Sequence, residues 1–145
     1  MKEFFQPDPA VTGVKGLVFI GEKTIGMVRD QNTTDHPGFI DMLGGGTDPG
    51  DATPFATFAR EVDEEAGLHI SEGDITYARL YPSIKNPGTA TYFVVARLAA
   101  GSEAGMQLGD EGTKLVLMTP EAFIADAKGW DFLQERAQAY LDSLK

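Results

Sequence analysis

Apolar residues follow two periods along this chain, that of a strand in some stretches and that of a helix in others. Val11 to Ile20 is rich in Val, Leu, Phe and Ile, and after Gly21-Glu22-Lys23 a second β-like run continues from Thr24 to Arg29. Two such runs across a short turn predict a hairpin. Asp30 to Gly38 is polar and turn-forming and predicts a loop, followed by a short apolar segment, Phe39 to Leu43. Gly44 to Asp51 reads as a second loop, whose glycines permit positive φ or close approach of a ligand to the backbone.

The helical period begins after that loop. Thr53 followed by Pro54 is a capping hydroxyl before a first-turn proline, and Gly67 after Ala66 is a stop, so the pattern predicts a helix over Pro54–Ala66. Phe55, Phe58, Ala59, Val62 and Ala66 fall on one stripe that would face a sheet. Further strands are predicted at Ile75–Tyr81, Ala90–Leu98 and Lys114–Met118, the first two joined across Lys85-Asn86-Pro87-Gly88. Thr119-Pro120 starts a short helix to about Ala127, and Trp130–Leu144 carries apolar residues at helical spacing. The order of strands, helix, strands and helices predicts one α/β domain over residues 1–145.

Composition narrows the function classes. The chain has 145 residues, enough for one core and too few for two ordinary domains. Its net charge of -10 leaves no basic footprint for a phosphate backbone, so nucleic acid is not an expected partner. It has no cysteine, which removes disulfides, zinc-thiolate sites and thiol nucleophiles. Apolar runs such as Gly16–Ile20 and Tyr92–Ala96 are far shorter than a membrane span, and Met1–Pro7 has no secretory pattern; the expected location is cytoplasmic.

The most informative segment is Arg60-Glu61-Val62-Asp63-Glu64-Glu65-Ala66-Gly67-Leu68. At about 100° per residue Glu61, Glu64 and Glu65 share one side of the helix, away from the apolar stripe. Like charges at this spacing repel by a few tenths of a kcal/mol per pair, roughly. They also sit in the last turns, where the helix dipole is already negative and each acid costs about 0.3–1 kcal/mol. Stability alone does not call for them, whereas a divalent cation such as Mg²⁺ or Mn²⁺ reverses both effects, because it prefers carboxylate oxygens. The plainer reading, a solvated acidic face with Arg60 as its local counter-ion, explains the charge but not the spacing.

These residues resemble the Nudix hydrolase family. Its box runs Gly, five residues, Glu, seven residues, then Arg-Glu-U-x-Glu-Glu-x-Gly-U, with U a bulky aliphatic. Read without gaps from Gly46, the chain matches every fixed position except one: Ala52 stands where the family has its first glutamate. Asp51 is adjacent and is a second candidate for that role, although Thr53-Pro54 favours the gapless reading. The resemblance covers 23 residues and, through the element order, extends to most of the chain. It implies an α/β/α sandwich around a mixed β-sheet.

The resemblance also implies roles. In similar proteins the counterparts of Glu61, Glu64 and Glu65 bind Mg²⁺ or Mn²⁺, and the arginine, here Arg60, orients a glutamate of the box. Gly46 and Gly45 would shape the loop beneath the helix. A glutamate outside the box, before a late strand, often takes the proton from the attacking water; Glu111 in Gly109-Asp110-Glu111-Gly112 is the candidate, with Glu103 and Glu61 as alternatives. On the substrate side Arg29, Arg79 and Lys85 are candidate phosphate contacts, and Phe39, Tyr81 and Tyr92 candidate stacking partners. His36 and His69 make no metal-ligand pair, and Trp130 and Phe132 are expected to pack the last helix. The implied activity is metal-dependent hydrolysis of a pyrophosphate bond in a small nucleotide, with a nucleotide-binding module lacking turnover as the alternative. Homodimers are common among similar proteins.

Overall fold

The computed structural model describes residues 5, 10–107 and 114–145. Among them β1 (Val11–Ile20), β2 (Lys23–Val28), β3 (Ile40–Asp41), β4 (Leu43–Gly46), β5 (Ile75–Pro82), β6 (Ala90–Leu98) and β7 (Lys114–Met118) form one sheet. Its order is β3-β2-β1-β6-β5, with β4 also beside β1 and β7 also beside β2. The β1–β6 pair is parallel and the other pairs are antiparallel, so the sheet is mixed.

Alternation along β1 builds two cores. Val14 and Val18 point to one face, where Phe58, Val62 and Ala66 of α1 (Pro54–Ala66) cover them. Leu17 and Phe19 point to the other, against Phe123 of α2 (Pro120–Ala125) and Leu133, Ala137 and Tyr140 of α3 (Asp131–Ser143). The result is the α/β/α sandwich that the sequence implied. Phe5 packs its ring against Phe55 and Tyr92 on the α1 side.

α1 starts and stops where the capping pattern places it. Thr53 Oγ1 accepts from Ala56 N at 3.1 Å, and Gly67, at φ 66°, donates its N–H to Asp63 O at 2.9 Å. The glycine-rich stretch is different from its prediction. Gly44–Gly46 is not loop but, with Leu43, strand β4, paired with β1 through Val14↔Gly45 and Lys15↔Gly44. Glycine has poor strand propensity, but β1 supplies the hydrogen-bond partners, and only glycine fits at Gly44: its φ is 124° and a Cβ would fall 2.1 Å from Val14 O. Short 3₁₀ turns at Glu72–Asp74 and Ser102–Gly105 also escaped the pattern reading, and α2 ends at Ala125 rather than Ala127.

Candidate active site

Arg60, in the second turn of α1, is the hub of the acidic face. Its Nε donates to Asp51 Oδ1 and its Nη2 to Asp51 Oδ2, both at 3.0 Å, a bidentate pair. Nη2 also reaches Gly46 O at 3.0 Å, while Nη1 bonds Glu61 Oε1 at 3.1 Å and Glu64 Oε1 at 3.3 Å. Asp51 is further tied by Thr57 Oγ1 and Asp48 N, each donating to Oδ2 at 2.9 Å. The Arg60 guanidinium, then these donors, hold the Asp51 carboxyl down at about 2 against burial. Ala52 is exposed and has no side chain to offer Arg60, so Asp51 fills the place facing the arginine.

Glu61 and Glu65 sit between α1 and β4. Gly45 makes room for Glu61: a Cβ there would lie 2.7 Å from the Glu61 carboxyl carbon. Glu65 Oε1 accepts from Gly44 N at 2.8 Å and makes no ion pair among the described residues. Burial pushes the Glu65 carboxyl up to about 8, opposed by the Gly44 hydrogen bond and by Lys15. Burial likewise raises Glu61, partly offset by Arg60. Glu64 is mostly exposed. Lys15, on β1, bonds Asp41 Oδ2 at 3.0 Å and Met42 O at 3.4 Å.

A cavity of about 290 Å³ opens beside these groups. Gly13, Lys15, Gly45 and Gly46 line it on the sheet, and the β5–β6 loop and α3 supply the opposite wall. Glu61 therefore approaches from the far side of the same glycine strand whose backbone lines the cavity.

A family description, the NUDIX domain, matches residues 11–139. The chain belongs to the NUDIX domain family. No curated protein matches it. Among solved structures it is similar to the MutT protein of Methanosarcina mazei Go1, at TM-score 0.71 and 18% identity, over 93% of this chain and 95% of that one. It is also similar to an Ap4A hydrolase of C. elegans, at TM-score 0.68 and 15% identity, over 91% of this chain and 97% of that one. A third is a bifunctional NMN adenylyltransferase/ADP ribose pyrophosphatase of Francisella tularensis complexed with AMP and Mn ion, at TM-score 0.60 and 13% identity, over 83% of this chain and 35% of that one. At these identities the likeness shows the fold.

Within this Nudix domain the box acids suit a hard cation in chemistry, since every donor is an oxygen and Glu65 is a half-buried carboxyl that makes no ion pair among the described residues. Among the described residues no three such side chains already stand together as a metal cage. Arg60 accounts for this: Glu61 and Glu64 are both turned to the same nitrogen, Nη1.

The remaining candidates are dispersed. Glu111 lies outside the described residues; Gln107, shortly before it, donates its N–H to Ala66 O at 2.8 Å, at the end of α1. Glu103 is exposed in the Ser102–Gly105 turn. Arg29 bonds Asp35 O and Oδ2 and so closes its own loop. Arg79 stacks on Tyr81 at 4.9 Å, and neither lines the cavity. Tyr92 is buried in the α1-side core, and Phe39 packs on Trp130 and His36. Lys85 does line the cavity, as does Phe132, expected only to pack α3.

Sequence reading missed Arg136. It is 6% exposed, bonds Thr91 Oγ1 at 3.1 Å and Pro82 O at 3.4 Å, and lies over the Tyr81 ring at 4.5 Å and the Phe132 ring at 5.1 Å. Burial lowers its pKa. The available signal was a cation at the buried spacing of α3, three residues after Leu133 and four before Tyr140.

Proposed function

We propose that this Nudix domain hydrolyses a pyrophosphate bond in a nucleoside diphosphate linked to another group, using Mg²⁺ or Mn²⁺ at Glu61, Glu64 and Glu65. One observation carries the reading: Gly45 cradles the Glu61 carboxylate against the strand that lines the cavity, so metal-binding oxygens and a ligand-sized space meet at one backbone segment. The printed descriptions of the relatives, a MutT protein, an Ap4A hydrolase and an ADP ribose pyrophosphatase, agree with pyrophosphate chemistry.

The cation would neutralise charge on the pyrophosphate and make water a better nucleophile. The chain's own residues do the rest. Arg60, fixed by Asp51, sets the orientation of Glu61 and Glu64. Near neutral pH the half-buried Glu65 is held protonated, and positive charge arriving beside it would favour its anion, which couples its ionisation to loading of the site. Lys15 contributes a fixed positive charge between the acids and the cavity. Glu111, beyond the residue bonded to the end of α1, is our candidate to accept the proton of the attacking water.

The test is release of phosphate or pyrophosphate from nucleoside triphosphates, nucleotide sugars, ADP-ribose and dinucleoside polyphosphates with Mg²⁺ or Mn²⁺. Turnover that requires the metal and falls at least 100-fold, roughly, in Glu64→Gln supports the hydrolase. Nucleotide binding by calorimetry with no turnover of any substrate would replace it with a binding module.

A further inference from the structure

Resting on that reading, we infer that Arg136 is a specificity-determining residue that binds an additional phosphate of the substrate, beyond the two whose shared bond is cleaved. The inference starts from charge. The chain is acidic overall, at -10, yet among the described residues its cavity is lined by Lys15, Lys85 and Arg136 and by no aspartate or glutamate. Lys15 is balanced by Asp41, whereas Arg136 makes no ion pair among the described residues and interacts with a carboxylate only through the field of its helix neighbour Glu135. Its two bonds go to a neutral hydroxyl and a carbonyl, and aromatic rings flank it. A buried guanidinium without a close ion pair is costly unless an anion reaches it. The neighbouring Tyr81 hydroxyl is buried without a partner too, the one such side-chain atom among the described residues.

Register then separates this anion from the scissile pyrophosphate. Gly46 pairs with Gly13, Gly13 with Thr91, and Thr91 with Tyr81, so these four residues make one row across β4, β1, β6 and β5. Paired residues share a face, here the one covered by α3. The row begins at the glycines beside the box, where no side chain blocks the floor, and ends at Thr91 and Tyr81, which Arg136 bonds and covers. Strands lie about 4.8 Å apart, so Arg136 is anchored two to three spacings, roughly 10–14 Å, from β4. The α1 acids lie beyond β4, on the other face. The phosphates of one pyrophosphate share a bridging oxygen and do not span that distance. The group at Arg136 belongs to another part of the substrate.

The charge count favours a phosphate over a carboxylate. Arg136 and Lys85 place two cations on the cavity wall, neither in an ion pair among the described residues, matching the roughly -1.5 to -2 of a phosphate monoester, and arginine binds phosphate through paired donors. Ile84, 66% exposed, and Phe132 add an apolar lip to the same cavity, suited to the organic part of such a ligand.

The experiment compares kcat/KM for substrate pairs differing in phosphate content: NADPH with NADH and coenzyme A with dephospho-coenzyme A for a branch phosphomonoester, and diadenosine tetraphosphate with diadenosine diphosphate for a longer chain. At least one pair is expected to show a preference of tenfold or more, roughly, for the phosphate-richer member, with the pair identifying the source. Arg136→Gln should reduce that ratio about tenfold and Arg136→Lys less. Lys85→Gln, on an exposed loop, should reduce it severalfold with no change in melting temperature. Equal kcat/KM within every pair, or a ratio that survives Arg136→Gln and Lys85→Gln, overturns the inference. If no substrate is turned over, the pyrophosphohydrolase reading fails, and metal-free calorimetry with AMP and adenosine 3′,5′-bisphosphate decides separately. Tighter binding of the bisphosphate that is lost in Lys85→Gln and Arg136→Gln upholds the phosphate site; equal or undetectable binding overturns it.

Discussion

Arg60 and Asp51 meet through two parallel hydrogen bonds of 3.0 Å each, although the residue at the box position of the first glutamate is Ala52. The Asp51 side chain, one residue earlier, reaches the guanidinium because Asp48 N and Thr57 Oγ1 pull its carboxylate under the start of α1. Arg60, held by Asp51, also bonds Glu61 and Glu64.

That pair predicts an asymmetry between neighbouring positions. Asp51→Ala leaves the Arg60 charge and the Thr57 hydroxyl without their main acceptor and should cost about 2 kcal/mol, a drop of about 4–8 °C in melting temperature. Activity should fall as well, through loss of Glu61 and Glu64 orientation. Ala52→Glu, at an exposed site, should change stability by less than about 0.5 kcal/mol. Thermal denaturation of both variants checks it; equal losses would contradict the assignment.

Glu65 predicts the pH dependence of the metal-free protein. Its folded carboxyl is raised to about 8 from an ordinary 4.5, so the folded state holds a proton that the unfolded state releases in between. This contribution is complete below about 4.5 and is lost as pH rises toward 8, and the raised Glu61 adds the same sign. Glu65→Gln should flatten the slope and be the more stable protein at pH 8, by on the order of 2–4 kcal/mol. Added Mg²⁺ should restore wild-type stability at pH 8 and leave Glu65→Gln less affected. Melting curves from pH 5 to 8 with chelator and with Mg²⁺ decide this.

Asp51 predicts the acid limb with the opposite sign. Its carboxyl is lowered to about 2 from 3.8, so its contribution is present above about 3.8 and lost as pH falls through 2. Asp51→Asn should remove the part of acid unfolding that lies between those values, seen by circular dichroism.

Two glycines predict separable losses. Gly45→Ala places a Cβ 2.7 Å from the Glu61 carboxyl carbon, at the end of a side chain that can move. It should lower kcat at least tenfold, roughly, with a stability change near 1 kcal/mol, because the cost is displacement of the carboxylate proposed to hold the metal. Gly16→Ala places a Cβ 2.4 Å from Val94 O, a backbone atom in the parallel β1–β6 pair. That neighbour cannot yield cheaply, so stability should fall by about 2–3 kcal/mol. Steady-state kinetics and denaturant titration together distinguish the two.

Local rules were enough for much of this protein. Thr53-Pro54 and Gly67 bound α1 to the residue, and β1, β6 and β7 have the predicted limits, because caps and apolar runs act within one element. Hydrophobic spacing separated Glu61, Glu64 and Glu65 from the packed stripe, and the box spacing pointed to the family that the chain belongs to.

What lies between elements was decided only on folding. Gly44–Gly46 has the composition of a loop and becomes a strand because β1 offers it a ladder. Asp51 rather than Ala52 takes Arg60, since that choice depends on where a turn aims a carboxylate across 9 residues of chain. Glu61, Glu64 and Glu65 look equivalent on a helical wheel, yet Glu65 is buried against Gly44 and Glu64 is mostly exposed, a difference set by the packing of β4 on α1. Arg136 is an ordinary cation in the last helix until α3 settles over Thr91 and Tyr81, 45 residues away from its Thr91 partner, and becomes a buried charge in a cavity. Sequence specifies short-range geometry and residue chemistry; burial, and the long-range partner that each charge finds, are properties of the assembled layers.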